Sequence, residues 1–202
     1  MIDGVIKFNV EHEYKDAPVF DAFEQLEALR TRLFALGLIG ETPDGIGYGN
    51  VSHRFNNDAS FFITATQTGK QPSLTQDEYT FIERYAFDSF TVFSKGKYKP
   101  SSESLSHAMI YEVHPDIGAV IHVHSSALWQ MMIDTKSLAT TAEYGTTEMV
   151  HEIAALYQSR NPFEHNVFVM KGHEDGIITF GKNIEEAELT LNQIIQACLQ
   201  RT

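Results

Sequence analysis

Residues 118–130, GAVIHVHSSALWQ, read as a buried strand feeding into a helix, yet His122 and His124 interrupt the apolar run. Side chains at i and i+2 of a strand point to the same face, with Cα atoms roughly 7 Å apart. The two imidazoles therefore project side by side, while Ile121 and Val123 take the opposite face. Burying an imidazole with no partner costs on the order of 1–3 kcal/mol, a cost that valine or isoleucine would not carry. A pair so placed can reach one divalent cation through Zn–N bonds of about 2.0–2.1 Å. A third protein ligand would leave one position open, which is the catalytic rather than the structural arrangement. His12, His53, His107, His114, His151, His165 and His173 compete for that role, and spacing alone does not choose among them. His173, in KGHEDG, stands at a tight turn between two strands, where a loop can aim it into a cleft.

The rest of the chain supplies the frame. Phe23, Leu26, Leu29, Leu33 and Phe34 recur at helical spacing, with Gly37 and Gly40 ending the run. A glycine-rich loop, ETPDGIGYGN, follows. VSHRF and SFFITAT read as strands around the turn NND. TQDEYTFIERY opens with a capping-box pattern, Thr75 to Glu78, and predicts a short helix. FDSFTVFS alternates as a strand does. SLSHAMIYEVHP predicts a helix stopped by Pro115, SALWQMMI and TTEMVHEIAALYQSR two more, and IEEAELTLNQIIQACLQ a closing amphipathic one. NVFVMKGHEDGIITFG reads as a hairpin. Few strand–helix–strand units repeat in register, which favours a mainly antiparallel sheet with helices packed on it. With no repeat and no linker, residues 1–202 are expected to form one domain.

Charge and cysteine content narrow the partners. A net charge of −12 argues against nucleic acid, because gripping phosphate backbones needs a basic face. Cys198 is the single cysteine, so no intrachain disulfide is available and a reducing compartment is the simpler expectation. The first residues lack the basic and apolar regions of a signal peptide. No apolar run approaches the roughly 20 residues that span a bilayer. A cytoplasmic protein with no membrane partner is expected.

GNVSHR, KPSSESLSHAMIYEVHPDIGAVIHVHS, YGTTEM and GHEDGIITFGKNIEEA occur in the order seen in the class II aldolase/adducin family, which residues 20–200 resemble. The resemblance implies a three-layer α/β/α fold around a mainly antiparallel sheet. It implies His122, His124 and His173 as ligands of zinc, or of another divalent ion such as Mn2+, Co2+ or Fe2+. It implies Glu103 as the group that shuttles a substrate proton, and Gly49, Asn50, Thr68, Gly69, Ser101 and Ser102 as the phosphate-binding set. Family enzymes are commonly tetramers with sites at subunit interfaces, so a homotetramer is expected; the apolar stretch ALWQMMI also fits an oligomer.

The chemistry implied is that of a lyase of the aldolase type, cleaving or forming a C–C bond in a small sugar or sugar phosphate. A cation polarises the carbonyl and hydroxyl oxygens and stabilises the developing enediolate. Glu103 then moves a proton, best with its pKa raised by a dry setting. Epimerase, dehydratase and decarboxylase chemistry use the same kind of site. A non-catalytic binding module like the adducin head would be expected to lack the metal ligands. Two features depart from the family pattern. TATQTG is one residue longer than the usual second-strand motif and lacks its proline, which leaves Lys70 and Arg54 as other sources of positive charge. Tyr144, directly before Gly145, could serve as an acid only after a local shift.

Overall fold

The computed structural model describes residues 5–56, 58–160 and 165–201. Asn57 of the expected NND turn lies outside them, as do the first four residues of the segment read for a leader. In chain order the elements are β1 (Asn9–Glu13), α1 (Phe23–Ala35), β2 (Gly40–Glu41), β3 (Gly47–Tyr48), β4 (Asn50–Arg54), β5 (Phe61–Thr64), β6 (Tyr79–Ala86), β7 (Thr91–Lys95), α2 (Ser104–Val113) and β8 (Ala119–His124). They continue with α3 (Ser126–Asp134), β9 (Ala139–Thr140), α4 (Thr147–Arg160), β10 (Val167–Met170), β11 (Gly176–Gly181) and α5 (Ile184–Leu199).

Nine strands form one sheet in the order β1-β7-β6-β5-β4-β8-β11-β10-β9. Its interior pairings are antiparallel, and only the two edge strands, β1 on β7 and β9 on β10, run parallel to their neighbours. The sheet is covered on both sides. Leu26, Leu29 and Leu33 of α1, Leu128 of α3 and Leu191 of α5 pack with Val51, Ile121, Val123 and Ile177. On the other side Leu105, Ala108 and Ile110 of α2 and Met149 and Ile153 of α4 pack with Val120, Phe168, Ile178 and Phe180. This is the expected three-layer α/β/α architecture.

Strand β8 lies between β4 and β11. Since Ile121 and Val123 serve the first core, alternation sends His122 and His124 to the face that carries α2 and α4. The hairpin β10–β11 then brings the GHEDG turn beside them.

The helix expected over TQDEYTFIERY is corrected. The capping box forms, with the Thr75 N–H and hydroxyl both donating to Glu78 Oε2 at 2.7 Å, but it opens a single 3-10 turn, Gln76–Glu78. Tyr79, Thr80, Phe81 and Ile82 then pair with β5 and are all buried. Sheet pairing of β-branched and aromatic residues overrides the local start signal. The loop ETPDGIGYGN holds the small ladder β2–β3, and β1 and β9 had no counterpart in the sequence reading. In α3, Leu128 and Met132 are buried and Trp129, Met131 and Ile133 pack against the first core. These last three remain partly exposed. Among the described residues no helix is long and apolar enough to cross a membrane.

Candidate metal and proton-transfer site

Every residue expected at the site lines one cavity. Gly49, Asn50, Thr68, Gly69, Ser101, Ser102, Glu103, His122, His124, Tyr144 and His173 are joined there by Gly47, Tyr48, Ala65, Thr66 and Gln67. Of these additions, Tyr48 sits in the glycine-rich loop and turns its ring toward His124, with centroids 5.2 Å apart. Nothing in the local sequence singles it out.

The ligand-bearing atoms of His122, His124 and His173 lie within 4.8 Å of one another, and no other such cluster occurs among the described residues. Nε2 of His124 is 3.1 Å from Nε2 of His122 and 3.0 Å from Nε2 of His173. Two ligands on a tetrahedral ion with bonds of about 2.05 Å stand roughly 3.3 Å apart. His122 Nδ1 lies 3.1 Å from the Ile177 carbonyl; a carbonyl only accepts, so that nitrogen carries the proton and Nε2 keeps its lone pair for the centre. Burial, then the neighbouring His122 and His173, holds the His124 imidazole well below its ordinary pKa, as suits a neutral donor. Converging lone pairs repel unless a cation sits among them, so this donor set fits a divalent metal ion. Gly176 makes the convergence possible, because a Cβ there would lie 2.8 Å from His173 Cδ2 and 3.3 Å from His122 Cε1.

Glu103 caps the N-terminus of α2 without bonding its backbone through the side chain. Its carboxylate is 4% exposed and takes a hydrogen bond from Asn50 Nδ2 at 2.8 Å; Oε2 lies 2.9 Å from His122 Nε2. Oε1 and the Asn50 Oδ1 are buried and have no partner among the described residues. The expectation of a raised pKa is corrected. Burial does push the carboxyl up, but positive charge at the histidines beside it, His122 first and then His173 and His107, together outweighs that and brings it below the ordinary carboxylate range. Glu103 is therefore ionised at neutral pH, the form that accepts a proton.

Ser101 and Ser102 lead into α2 and are buried; Ser101 Oγ accepts the Glu103 N–H at 3.3 Å. Tyr144 lies within the same chain against His173, ring centroids 4.8 Å apart. Its hydroxyl accepts from the Val5 N–H at 3.1 Å, and Lys7 Nζ sits 3.7 Å over its ring.

The two cations considered in place of the shifted loop do not reach the cavity. Arg54 is buried and donates to the carbonyls of Ile117, Asp58, Tyr111 and His114 at 2.6–3.2 Å. It fastens β4 to the end of α2. Lys70 is exposed and outside the lining. Of the competing histidines, His107 is buried with Nδ1 2.7 Å from Ser52 Oγ, and His12 bonds Ser94 and Gly96.

A sheet covered on both faces by helices, with three histidines and a buried carboxylate at the end of its central strands, defines a class that the comparisons identify. Residues 43–201 match the family described as "Class II Aldolase and Adducin N-terminal domain", and the chain belongs to that family. Among curated proteins it is 31% identical over 106 residues to the methylthioribulose-1-phosphate dehydratase of Sulfurihydrogenibium sp. (strain YO3AOP1), covering 52% of this chain and 45% of that protein. A protein of the same name from Enterobacter sp. (strain 638) is 28% identical over 165 residues, 69% of this chain and 76% of the relative. Among solved structures an L-fuculose 1-phosphate aldolase shares the fold with a TM-score of 0.65 at 20% identity, over 90% of this chain and 84% of that one. The match to the Sulfurihydrogenibium protein thus spans less than half of that relative's length.

Proposed function

We propose that this chain is a divalent-metal-dependent lyase acting on a small phosphorylated hydroxy-carbonyl compound, with Glu103 carrying the proton. The observation that supports it best is the Glu103 carboxylate itself. It is buried and ionised, takes the Asn50 amide on Oε2, and its Oε1 has no partner among the described residues. Burying such a charge away from water is costly unless it is used or compensated.

His122, His124 and His173 would hold the ion, zinc or another divalent cation such as Mn2+, Co2+ or Fe2+. When bound, the ion supplies Lewis-acid polarisation of a carbonyl and its neighbouring hydroxyl. Glu103 takes the proton from the carbon next to that carbonyl. The electron pair left behind forms a double bond to the adjacent carbon, whose hydroxyl takes that proton from Glu103 and departs as water. Asn50 keeps the carboxylate oriented through Oε2, so that Oε1 faces the reacting proton. The backbone and hydroxyls of Gly49, Asn50, Thr68, Gly69, Ser101 and Ser102 would receive the phosphate. Loss of water is favoured as the outcome because the curated relatives are named dehydratases. Aldol cleavage is the competing outcome: the same carboxylate would return a proton to carbon after the C–C bond breaks.

The test is incubation of the metal-loaded protein with a panel of 1-phosphorylated ketoses, methylthioribulose 1-phosphate among them, followed by mass analysis. A product lighter by one water supports dehydration. Two fragments, one an aldehyde, would establish cleavage instead. No turnover of any member of the panel would argue for a binding role. A homotetramer, implied by the family resemblance, belongs to this proposal and is checked by sedimentation.

A further inference from the structure

Among the described residues no Lys or Arg lines the cavity, although an anionic end group is part of the function proposed above. Positive charge stands directly behind one wall. Arg30, on α1, is 1% exposed, and its Nη2 donates to the carbonyls of Thr68 at 2.9 Å and Gly69 at 3.4 Å. In a trans peptide the N–H points opposite to the C=O of the preceding residue. Drawing both carbonyls toward Arg30 therefore turns the N–H groups of Gly69 and Lys70 away from it.

The loop is held in this state from other sides. Gln67 adopts φ 60°, a left-handed conformation that L side chains take at a cost, and its Oε1 accepts the Gly47 N–H at 2.9 Å. The Thr68 hydroxyl donates to the Ala65 carbonyl at 2.8 Å. A Cβ at Gly69 would lie 2.2 Å from the Gly40 oxygen and 2.9 Å from Tyr48 N, so the loop is seated against β2 and β3 with no space between. Glu27 lies near enough for its charge to act on Arg30, but its oxygens are taken by other donors. The Glu27 carboxylate is occupied by the Leu74 N–H at 2.8 Å, the Thr31 hydroxyl at 3.0 Å and the Tyr79 hydroxyl at 2.7 Å, and Arg30 Nη1 has no partner among the described residues.

We infer that Arg30 is a positioning residue for the anionic group of the substrate. It fixes the direction of the Thr68–Gly69 peptide plane at the cavity wall and lends it its charge from behind, so that an anion is met by the Gly69 N–H rather than by a flexible cation. Oriented backbone N–H groups are a recognised anion receptor, and a guanidinium at the carbonyl end reinforces their dipoles. The inference rests on the proposed phosphorylated substrate. It accounts for how TATQTG, with an extra residue and no proline, can still serve as a phosphate-binding loop.

Calorimetric binding of inorganic phosphate to the metal-loaded protein tests it, with Arg30→Gln and Arg30→Lys beside wild type and with metal content and thermal midpoint measured on the same samples. Phosphate affinity is expected to fall at least tenfold in Arg30→Gln. It should fall a few-fold in Arg30→Lys, since an ammonium keeps the charge but not the planar fork. Metal content should not change, and on a turned-over substrate KM should rise more than kcat falls. Equal phosphate affinity in wild type and a folded Arg30→Gln overturns the inference and leaves the proposed function standing. If Arg30→Gln does not fold, unchanged affinity in Arg30→Lys overturns it. Wild type that binds no phosphate overturns the phosphorylated-substrate reading, and the inference with it.

Discussion

The carboxylate of Glu103 and the imidazole of His122 stand 2.9 Å apart and nearly devoid of solvent, although one comes from the start of α2 and the other from the middle of β8. The contact joins the group proposed to carry the proton to one proposed to hold the cation. Substitutions at the two positions should nevertheless separate.

Glu103→Gln preserves volume and removes the charge. Its rate is expected to fall about 10²–10⁴-fold, the usual contribution of a positioned acid–base group, while bound metal per chain stays as in wild type. Elemental analysis and kinetics on one preparation decide this. An unchanged rate would remove Glu103 from the chemistry.

His122→Ala and His173→Ala are each expected to lose the ion, as is wild type treated with a chelator. If the ion is present at 100 times its Kd, removing it costs about 2.7 kcal/mol. For a chain of this length that corresponds to a fall in Tm of roughly 5–10 °C. Identical melting curves with and without chelator would mean that no ion is bound to the native state.

Gly176→Ala probes the convergence of the histidines without touching one. The added methyl meets His173 Cδ2 at 2.8 Å and must push that ring aside. Metal affinity is expected to drop about 10–100-fold, as when groups that orient metal ligands are lost, with the fold retained. Titration with a competing chelator measures it, and wild-type affinity would show that the rings adjust freely.

Arg54→Ala leaves the carbonyls of Ile117, Asp58, Tyr111 and His114 without their shared donor. Stability should fall by about 2–4 kcal/mol, the scale of several orphaned buried acceptors that partly recover water, and the folded fraction should keep its metal. Urea unfolding gives the number. A loss of phosphate binding at unchanged stability would return Arg54 to the anion site.

His107 predicts a pH dependence. Burial, opposed by Glu103, brings its imidazole down to about 3, whereas in the unfolded chain it titrates near 6.5. Between those values the unfolded chain binds a proton that the native chain does not, so stability present above pH 6.5 is lost as pH falls toward 3. The full effect is on the order of 5 kcal/mol. His107→Gln should therefore flatten the acid limb of Tm against pH, and an unaltered slope would show that this imidazole does not drive the loss.

Much of this was legible in the sequence where a single period governs an element. The helical spacing of Leu26, Leu29 and Leu33 and the alternation of Ile121 and Val123 with two histidines describe α1 and β8 as they stand. The first half of β6 was misread because Tyr79–Ile82 are buried on both faces; they lose the period of two, and the nearby capping box becomes the louder signal. β1 is short and polar, and β9 has two residues, so neither carries a pattern. At the site, side-chain types pointed to metal and acid–base chemistry. The Asn50–Glu103 bond spans 53 positions and the grip of Arg30 on Thr68 spans 38; such pairings exist only once the sheet is assembled.

The Val5–Tyr144 bond has a practical side for anyone producing the protein. Lys7 anchors the same place, donating to Glu143 Oε1 at 2.5 Å and to the Tyr144 carbonyl at 3.1 Å. The ring these residues grip is the one that leans on His173. An affinity tag or trimmed start near Val5 is thus an intervention in the cleft, and its removal belongs among the controls of any activity assay.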